Sequence, residues 1–228
     1  MSAESKKQDE IFDYRTLRLL VGIVAFALPV VVWFAAGKEI GSISASYHSD
    51  GSRDLFVGAL FIIATLMLGY NGHPPDKNSR KWINEKLASK AAAIAAFGVA
   101  LFPTTCEECE DLCTRCSTDS TSIVHYITAV ILFAIIAYFC LGPFRERTKG
   151  ETGKKGQRAT IYLICGIIII LSMLAAIASM VLPVTKYAAW WTVFLAEWIA
   201  LWAFGVAWIV SGKAIPQLTD EAERLKLV

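Results

Sequence analysis

Residues 159–183 read ATIYLICGIIIILSMLAAIASMVLP, 25 positions without a charge. The hydrocarbon core of a bilayer is about 30 Å thick and takes roughly 20 residues of apolar helix to cross. Lipid cannot pair backbone N–H and C=O groups, so an apolar block of this length reads as a helix that satisfies its own backbone. Outward from it, five more blocks read the same way: 19–36, 55–70, 90–105, 122–141 and 187–211. The third is apolar only from Ala91, and Lys90 lengthens it by reaching back to the surface. The last contains one charge, Glu197. Strands of a barrel would be about ten residues long with alternating polarity, a pattern the chain lacks. The first block follows an 18-residue polar segment and has no small-residue cleavage site after it, so it reads as a span and not as a signal peptide. Pro29 inside it predicts a kink.

Composition agrees. Of 228 residues, 55% are apolar and 18% charged, with mean hydropathy +0.50, against about 45–50% and about 25% in soluble domains. The excess lies in uncharged blocks, which excludes a soluble enzyme, a disordered chain and a nucleic-acid-binding module. The expected fold is an all-α integral membrane protein, a six-transmembrane-helix bundle over 19–212. A segment 1–18 and a tail 213–228, too short to be a domain, flank it.

Basic residues orient the bundle. Eighteen of the 22 Lys and Arg fall on the side that holds both ends, among them Arg15, Arg18, Lys86, Arg147 and Arg158. The other side holds Lys38, Arg53, Arg115 and Lys186 against eight acids. The positive-inside rule places both termini in the cytoplasm, of a bacterial inner membrane on this reading. The basic loops themselves read as topology signals and as attraction to anionic lipid. Partners expected are membrane lipids, with room for a homo-oligomer and none for nucleic acid.

Between spans three and four stand Cys106, Cys109, Cys113 and Cys116. Two CxxC pairs resemble a zinc site in outline, but they lie too close together for a zinc ribbon, lack His, and fall outside the cytoplasm, where thiols oxidise. Two disulfides are the favoured reading over a metal site or a redox-active CxxC, with three connectivities open. Cys140 and Cys165, inside spans, read as small hydrophobes.

Polar residues inside the apolar blocks point to function. Glu197 lies about ten residues, roughly 15 Å, past the outer end of span six. An ionised side chain there costs roughly 2.5–3.5 kcal/mol on insertion scales. It reads either as a functional acid or as a hydrogen-bonded tie to a neighbouring element. Around the same end lie Ser44, His48, Arg53, Asp54 and His125. With Glu197 they would line one outward-facing polar cavity. His48, Asp54, His125 and Glu197 are zinc-ligand types, and Ser44-x-x-x-His48 sets a hydroxyl near an imidazole. Taken singly, His125 reads as an interfacial residue bonded to a carbonyl, His48 as a loop residue, and Arg53–Asp54 as a helix-start pair. Trp198 and Trp202, beside Glu197, read as packing or as an aromatic wall for an acyl chain or cation. His73, in Asn71-Gly-His-Pro-Pro75, reads as a turn. The run Ala91–Gly98 offers a small-residue surface for close helix packing. No zincin, Walker A, G-x-S-x-G or dinucleotide motif occurs, so no cofactor or metal is expected. No inverted repeat is evident either.

Four stretches carry a resemblance: Gly41-Ser-Ile-Ser-Ala45, Arg53-Asp-Leu-Phe-Val-Gly58, Gly98-Val-Ala-Leu-Phe-Pro103, and His125-Tyr126 with the aromatic residues down span four. They resemble a group of uncharacterised bacterial six-span membrane proteins, which is similar in turn to the Frag/DRAM/Sfk-type membrane families. The resemblance implies a six-helix fold and a role in lipid-anchor remodelling or lipid organisation. Ser44-x-x-x-His48 with a nearby Asp is also similar to membrane ceramidase-type hydrolases; those carry a late H-x-x-x-H pair, and no His follows His125 here. Three functions are therefore expected in competition. The first is binding of a lipid or small ligand in the outer cavity. The second is a lipid-modifying enzyme, with or without a metal, using the same residues. The third is a proton-coupled channel or transporter with Glu197 as carrier.

Overall fold

The computed structural model describes residues 14–37, 40–72, 84–105, 119–182 and 185–223. Among them are six α-helices and no strand: α1 Tyr14–Ala35, α2 Arg53–Gly69, α3 Glu85–Leu101, α4 Asp119–Phe139, α5 Gly153–Val181 and α6 Lys186–Ser211. Four helical stretches are long and apolar enough to cross a membrane: Tyr14–Ala35, Ser120–Phe144, Gly153–Val181 and Ala188–Ser211. Helices α2 and α3 have 17 residues each, the lower end of the range of about 17–25 that a span takes.

The ends follow local chemistry. Asn84 caps α3 by accepting a hydrogen bond from the Lys86 N–H at 2.9 Å, and Thr185 caps α6 by accepting from the Ala188 N–H at 3.3 Å. Helix α3 stops at Leu101, four residues short of the expected 105, because Pro103 cannot supply an N–H to continue it. Its start lies five residues earlier than expected, where Asn84 supplies the cap. Helix α1 runs unbroken through Pro29. After α4 the chain widens into a single π-turn, Cys140–Phe144, which contains Pro143. Lys90 donates to the carbonyls of Leu68 and Tyr70, closing the C-terminal end of α2.

Each helix packs on its neighbours in chain order, and α6 returns to α1, so the six form a closed ring. The α1–α6 crossing depends on two glycines. A Cβ on Gly22 would lie 2.8 Å from the Gly205 carbonyl oxygen, and one on Gly205 would lie 2.8 Å from Phe26 Cβ. Only hydrogen fits there, and it brings the two backbones into contact. Beside the crossing, Phe26 and Trp202 stack with centroids 5.1 Å apart. The expected small-residue surface is the buried face of α3: Ala92, Ala93, Ala95, Ala96 and Gly98 pack toward α2 and α4. Fully buried Val21, Met67, Phe139, Ile169 and Trp208 fill the middle. Large apolar side chains also face outward: Phe34, Ile94, Ile127, Leu171 and Leu174 are all more than half exposed.

At the end that holds the α4–α5 turn, the core contains charge. Arg18, only 4% exposed, donates to the Tyr70 hydroxyl at 2.8 Å and to the Ser211 carbonyl at 3.2 Å. The Tyr70 hydroxyl donates to Glu85 at 3.0 Å, and Glu85 pairs with Arg147. The Arg18 guanidinium also lies over the rings of Tyr70 and Phe144, 5.1 and 5.7 Å from their centroids. One network thus joins α1, α2, α3, α6 and the turn after α4. The segment after α6 folds back onto α5: Arg158 donates to the Leu218 carbonyl and to Glu223, both at 2.9 Å, and Lys213 pairs with Glu223 at 3.3 Å. Cys140 and Cys165 are buried free thiols. Cys106, Cys109, Cys113, Cys116 and His73 lie outside the described residues.

Candidate functional site

The segment between α1 and α2 makes one turn of 3₁₀ helix, Ser44–His48. Gly41 admits it under α6: a Cβ there would lie 0.7 Å from Trp190 Nε1, so any side chain would displace the indole. Ser42 Oγ accepts from the Ala45 N–H at 2.9 Å and caps the turn. Glu197 reaches across from α6. Its Oε2 accepts from the N–H groups of Ile43 at 2.5 Å and Ser44 at 3.2 Å; its Oε1 accepts from Ser44 Oγ at 2.9 Å. Three donors from one turn therefore hold the carboxyl. The tie anticipated for Glu197 exists, and its partner is the α1–α2 connection, not a neighbouring helix.

His48 lies in this inter-helix connection and is buried there; its Nε2 donates to the Thr104 carbonyl at 2.9 Å, with Thr104 Oγ1 at 3.1 Å. His125, 1% exposed, has Nδ1 at 2.6 Å from the Phe102 carbonyl oxygen. A carbonyl only accepts, so Nδ1 carries the proton. Pro103 ends α3 and frees that carbonyl to hold the imidazole. Tyr126 and Thr105 share a hydroxyl contact at 3.2 Å.

These groups close the polar end of a cleft of about 120 Å³. Ser42, Ser44, Thr104, His125, Tyr126 and Glu197 line that end. Below them the walls are apolar: Ala129, Val130 and Phe133 from α4, Met173, Ala176, Ile177 and Met180 from α5, and Val193, Ala196 and Ala200 from α6, with Ser172 among them. Val130, Ile177 and Met180 are also exposed on the outside of the bundle. The cleft therefore has its floor on α6 and its mouth between α4 and α5. From Tyr126 to Phe133, or from Ser172 to Met180, it runs seven or eight residues, roughly 10–12 Å along the helices.

The structure thus brings Ser44, His125 and Glu197 to one cavity. It does not bring the other candidates there. His48 sits behind Thr104. Arg53 lies over Tyr47, 4.8 Å from the ring centroid, and donates to its hydroxyl at 3.3 Å. Asp54 is exposed in the first turn of α2. Trp198 packs against Trp33, Phe194 and Trp202, with centroids 5.4–5.8 Å apart, so it stiffens α6 beside the site without lining it. Among the described residues no three His, Cys, Asp or Glu side chains converge. Thr104 and Tyr126, and the methionines of α5, are lining residues that sequence reasoning passed over. The G-x-x-x-F-P turn just before Thr104 was the available signal. No family model, curated protein or solved structure matches the chain.

Proposed function

We propose that the chain crosses a bacterial inner membrane six times, with both termini cytoplasmic, and binds a lipid or small amphiphile in the cleft between α4, α5 and α6. The observation that carries this is the form of the cleft: polar groups gathered at its closed end, apolar walls, and a mouth between α4 and α5 at a surface without charge. In this orientation the cleft lies in the outer half of the bilayer, and its mouth meets acyl chains directly. Its volume, about 120 Å³, is below the roughly 300–1,000 Å³ of a pocket that engulfs a drug-sized ligand. It takes a headgroup or a short length of chain, and the remainder of the molecule stays in the bilayer. The apolar exterior and the eighteen basic residues on one side support the topology. The resemblance to six-span lipid-organising families belongs to the same proposal.

Native mass spectrometry of the purified protein tests it. Ala129→Trp fills the cleft and is expected to abolish a lipid adduct seen on the wild type, with the thermal midpoint little changed. An adduct that survives the substitution, or a wild type without one, refutes the reading.

A further inference from the structure

At the end that holds the α4–α5 turn, the start of α5 meets the segment after α6. Arg158 stands 14 residues, roughly 21 Å along α5, from Ser172, the nearest α5 residue of the cleft. Glu223 spans two cations there: its Oε2 accepts from Arg158 Nη2 at 2.9 Å, and its Oε1 lies 3.3 Å from Lys213 Nζ. Arg158 Nη1 donates to the Leu218 carbonyl at 2.9 Å. Lys154 donates to the carbonyls of Pro216 and Thr219 at 3.2 and 3.0 Å. All these acceptors belong to one short segment, 216–223.

Positive charge is in excess. Burial lowers the pKa of Lys213, and Arg15 and Arg158 lower it further, together outweighing the pull of Glu223. The other acids of the segment, Asp220 and Glu221, are exposed. The first turn of α5 has no acid, and Thr152 does not cap it with its side chain, so the positive end of the helix dipole adds to the field. The segment also fits imperfectly. Thr219, whose carbonyl meets Lys154, is buried with its hydroxyl unpartnered among the described residues, and an orphaned buried hydroxyl costs free energy.

We infer that Arg158, Lys213 and Lys154 form a binding site for a phosphate monoester, and that 216–223 is a tethered occupant which the phosphate displaces. A carboxylate with one cation on each oxygen has the arrangement that two phosphate oxygens offer. A phosphate monoester carries about 1.5–2 negative charges near neutral pH, against one on Glu223, so it answers more of the excess. Position points to a lipid as its source. Arg158 immediately precedes the uncharged block 159–183, and Lys213 closely follows the block that ends at 211. On the six-span reading both stand at the border of hydrocarbon and water, where headgroups lie. The site does not depend on the cleft.

The full chain in neutral detergent is titrated with dioctanoyl phosphatidate, dioctanoyl phosphatidylcholine and inorganic phosphate, while hydrogen exchange follows 214–223. Phosphatidate is expected to bind at least about tenfold more tightly than phosphatidylcholine, whose phosphate is a diester beside its own ammonium, and to lower protection over 214–223. Glu223→Gln weakens the occupant and is expected to tighten phosphatidate about three- to tenfold, because fewer molecules are then blocked. Lys213→Gln, at a partly exposed position, is expected to weaken it at least about fivefold. Inorganic phosphate much weaker than phosphatidate identifies a headgroup site; equal potency identifies a soluble phosphate. A segment that only braces the fold predicts no gain from Glu223→Gln. That result, an absence of phosphatidate binding, protection unchanged at saturation, or indifference to Lys213→Gln overturns the inference. Ala129→Trp is expected to leave phosphatidate binding intact; its loss there would place the lipid in the cleft and overturn this site while supporting the other.

Discussion

Glu85→Gln should unfold the protein earlier by an amount that the network around it sets. Glu85 is 8% exposed, accepts from the Tyr70 hydroxyl and pairs with Arg147, whose side chain is 35% exposed. Breaking a buried ion pair from one side costs roughly 3–5 kcal/mol, most of it the cost of the charge left behind. Arg147 can turn partly to water, which reduces that cost; Arg18, at 4% exposure, cannot, and the Tyr70 hydroxyl that accepts from it is less polarised once its own acceptor is neutral. About 2–3 kcal/mol remains after the discount for solvent. For a chain of this size each kcal/mol moves the midpoint by about 2–4 °C, so the expected fall is about 4–12 °C. Intrinsic fluorescence reports it well, since Trp208 lies 5.6 Å from the Tyr70 ring. Tyr70→Phe should give a smaller fall. The double variant should fall by less than the sum, because Glu85→Gln weakens the same hydrogen bond that Tyr70→Phe removes. A Glu85→Gln midpoint within about 2 °C of wild type, or strict additivity with Tyr70→Phe, would refute the idea that these residues act as one network.

Two further outcomes follow from packing and charge. Gly205→Leu should lower the midpoint by the equivalent of about 1–3 kcal/mol, the usual cost of overpacking, because its Cβ meets Phe26 Cβ and the Gly22 carbonyl oxygen; Gly58→Leu, with nothing within 4 Å of its Cβ, is the control and should change little. Burial alone would raise the carboxyl pKa of Glu223, but the Arg158 hydrogen bond, with the charges of Lys213 and Arg158, outweighs it and holds the group below its ordinary value. Its contribution to docking the post-α6 segment is therefore complete above about pH 4.3, the ordinary glutamate pKa, and is lost as pH falls through the depressed folded value. Hydrogen exchange over 214–223 should show protection falling on that descent, and Glu223→Gln should remove this component; protection that does not change with pH in the wild type counts against the docking ion pair.

The helices were legible because each apolar block is long and nearly uncharged; the ends of α3 were not, since the cap at Asn84 and the stop at Pro103 act on backbone neighbours that hydrophobicity does not mark. The convergence of Ser44, His125 and Glu197 was legible from the order of the apolar blocks: helices that alternate in direction along the chain put all three at one end. Hydrophobicity could not show which way each side chain faces around its helix. Arg53, Asp54 and Trp198 share that end with Glu197 but project elsewhere, toward Tyr47, the solvent and the α1 aromatics. The inner network stayed hidden for a different reason. Arg18, Glu85 and Arg147 stand at the borders of apolar blocks, where charge is expected for topology, and nothing local distinguishes a border residue that faces water from one that faces a neighbouring helix. Likewise Gly41 and Trp190 are unremarkable apart, and only the fold sets one beneath the other.

Closure of the ring by its first and last members bears on biosynthesis. Helix α1 leaves the ribosome first, yet the surface around Gly22 and Ala25 finds its partner only when α6 has been made. Until then that stripe lacks its final partner, and Arg18 must wait for the Ser211 carbonyl that will receive it. Chains released before residue 205 should therefore be open arcs, prone to degradation, whatever the quality of their first five helices.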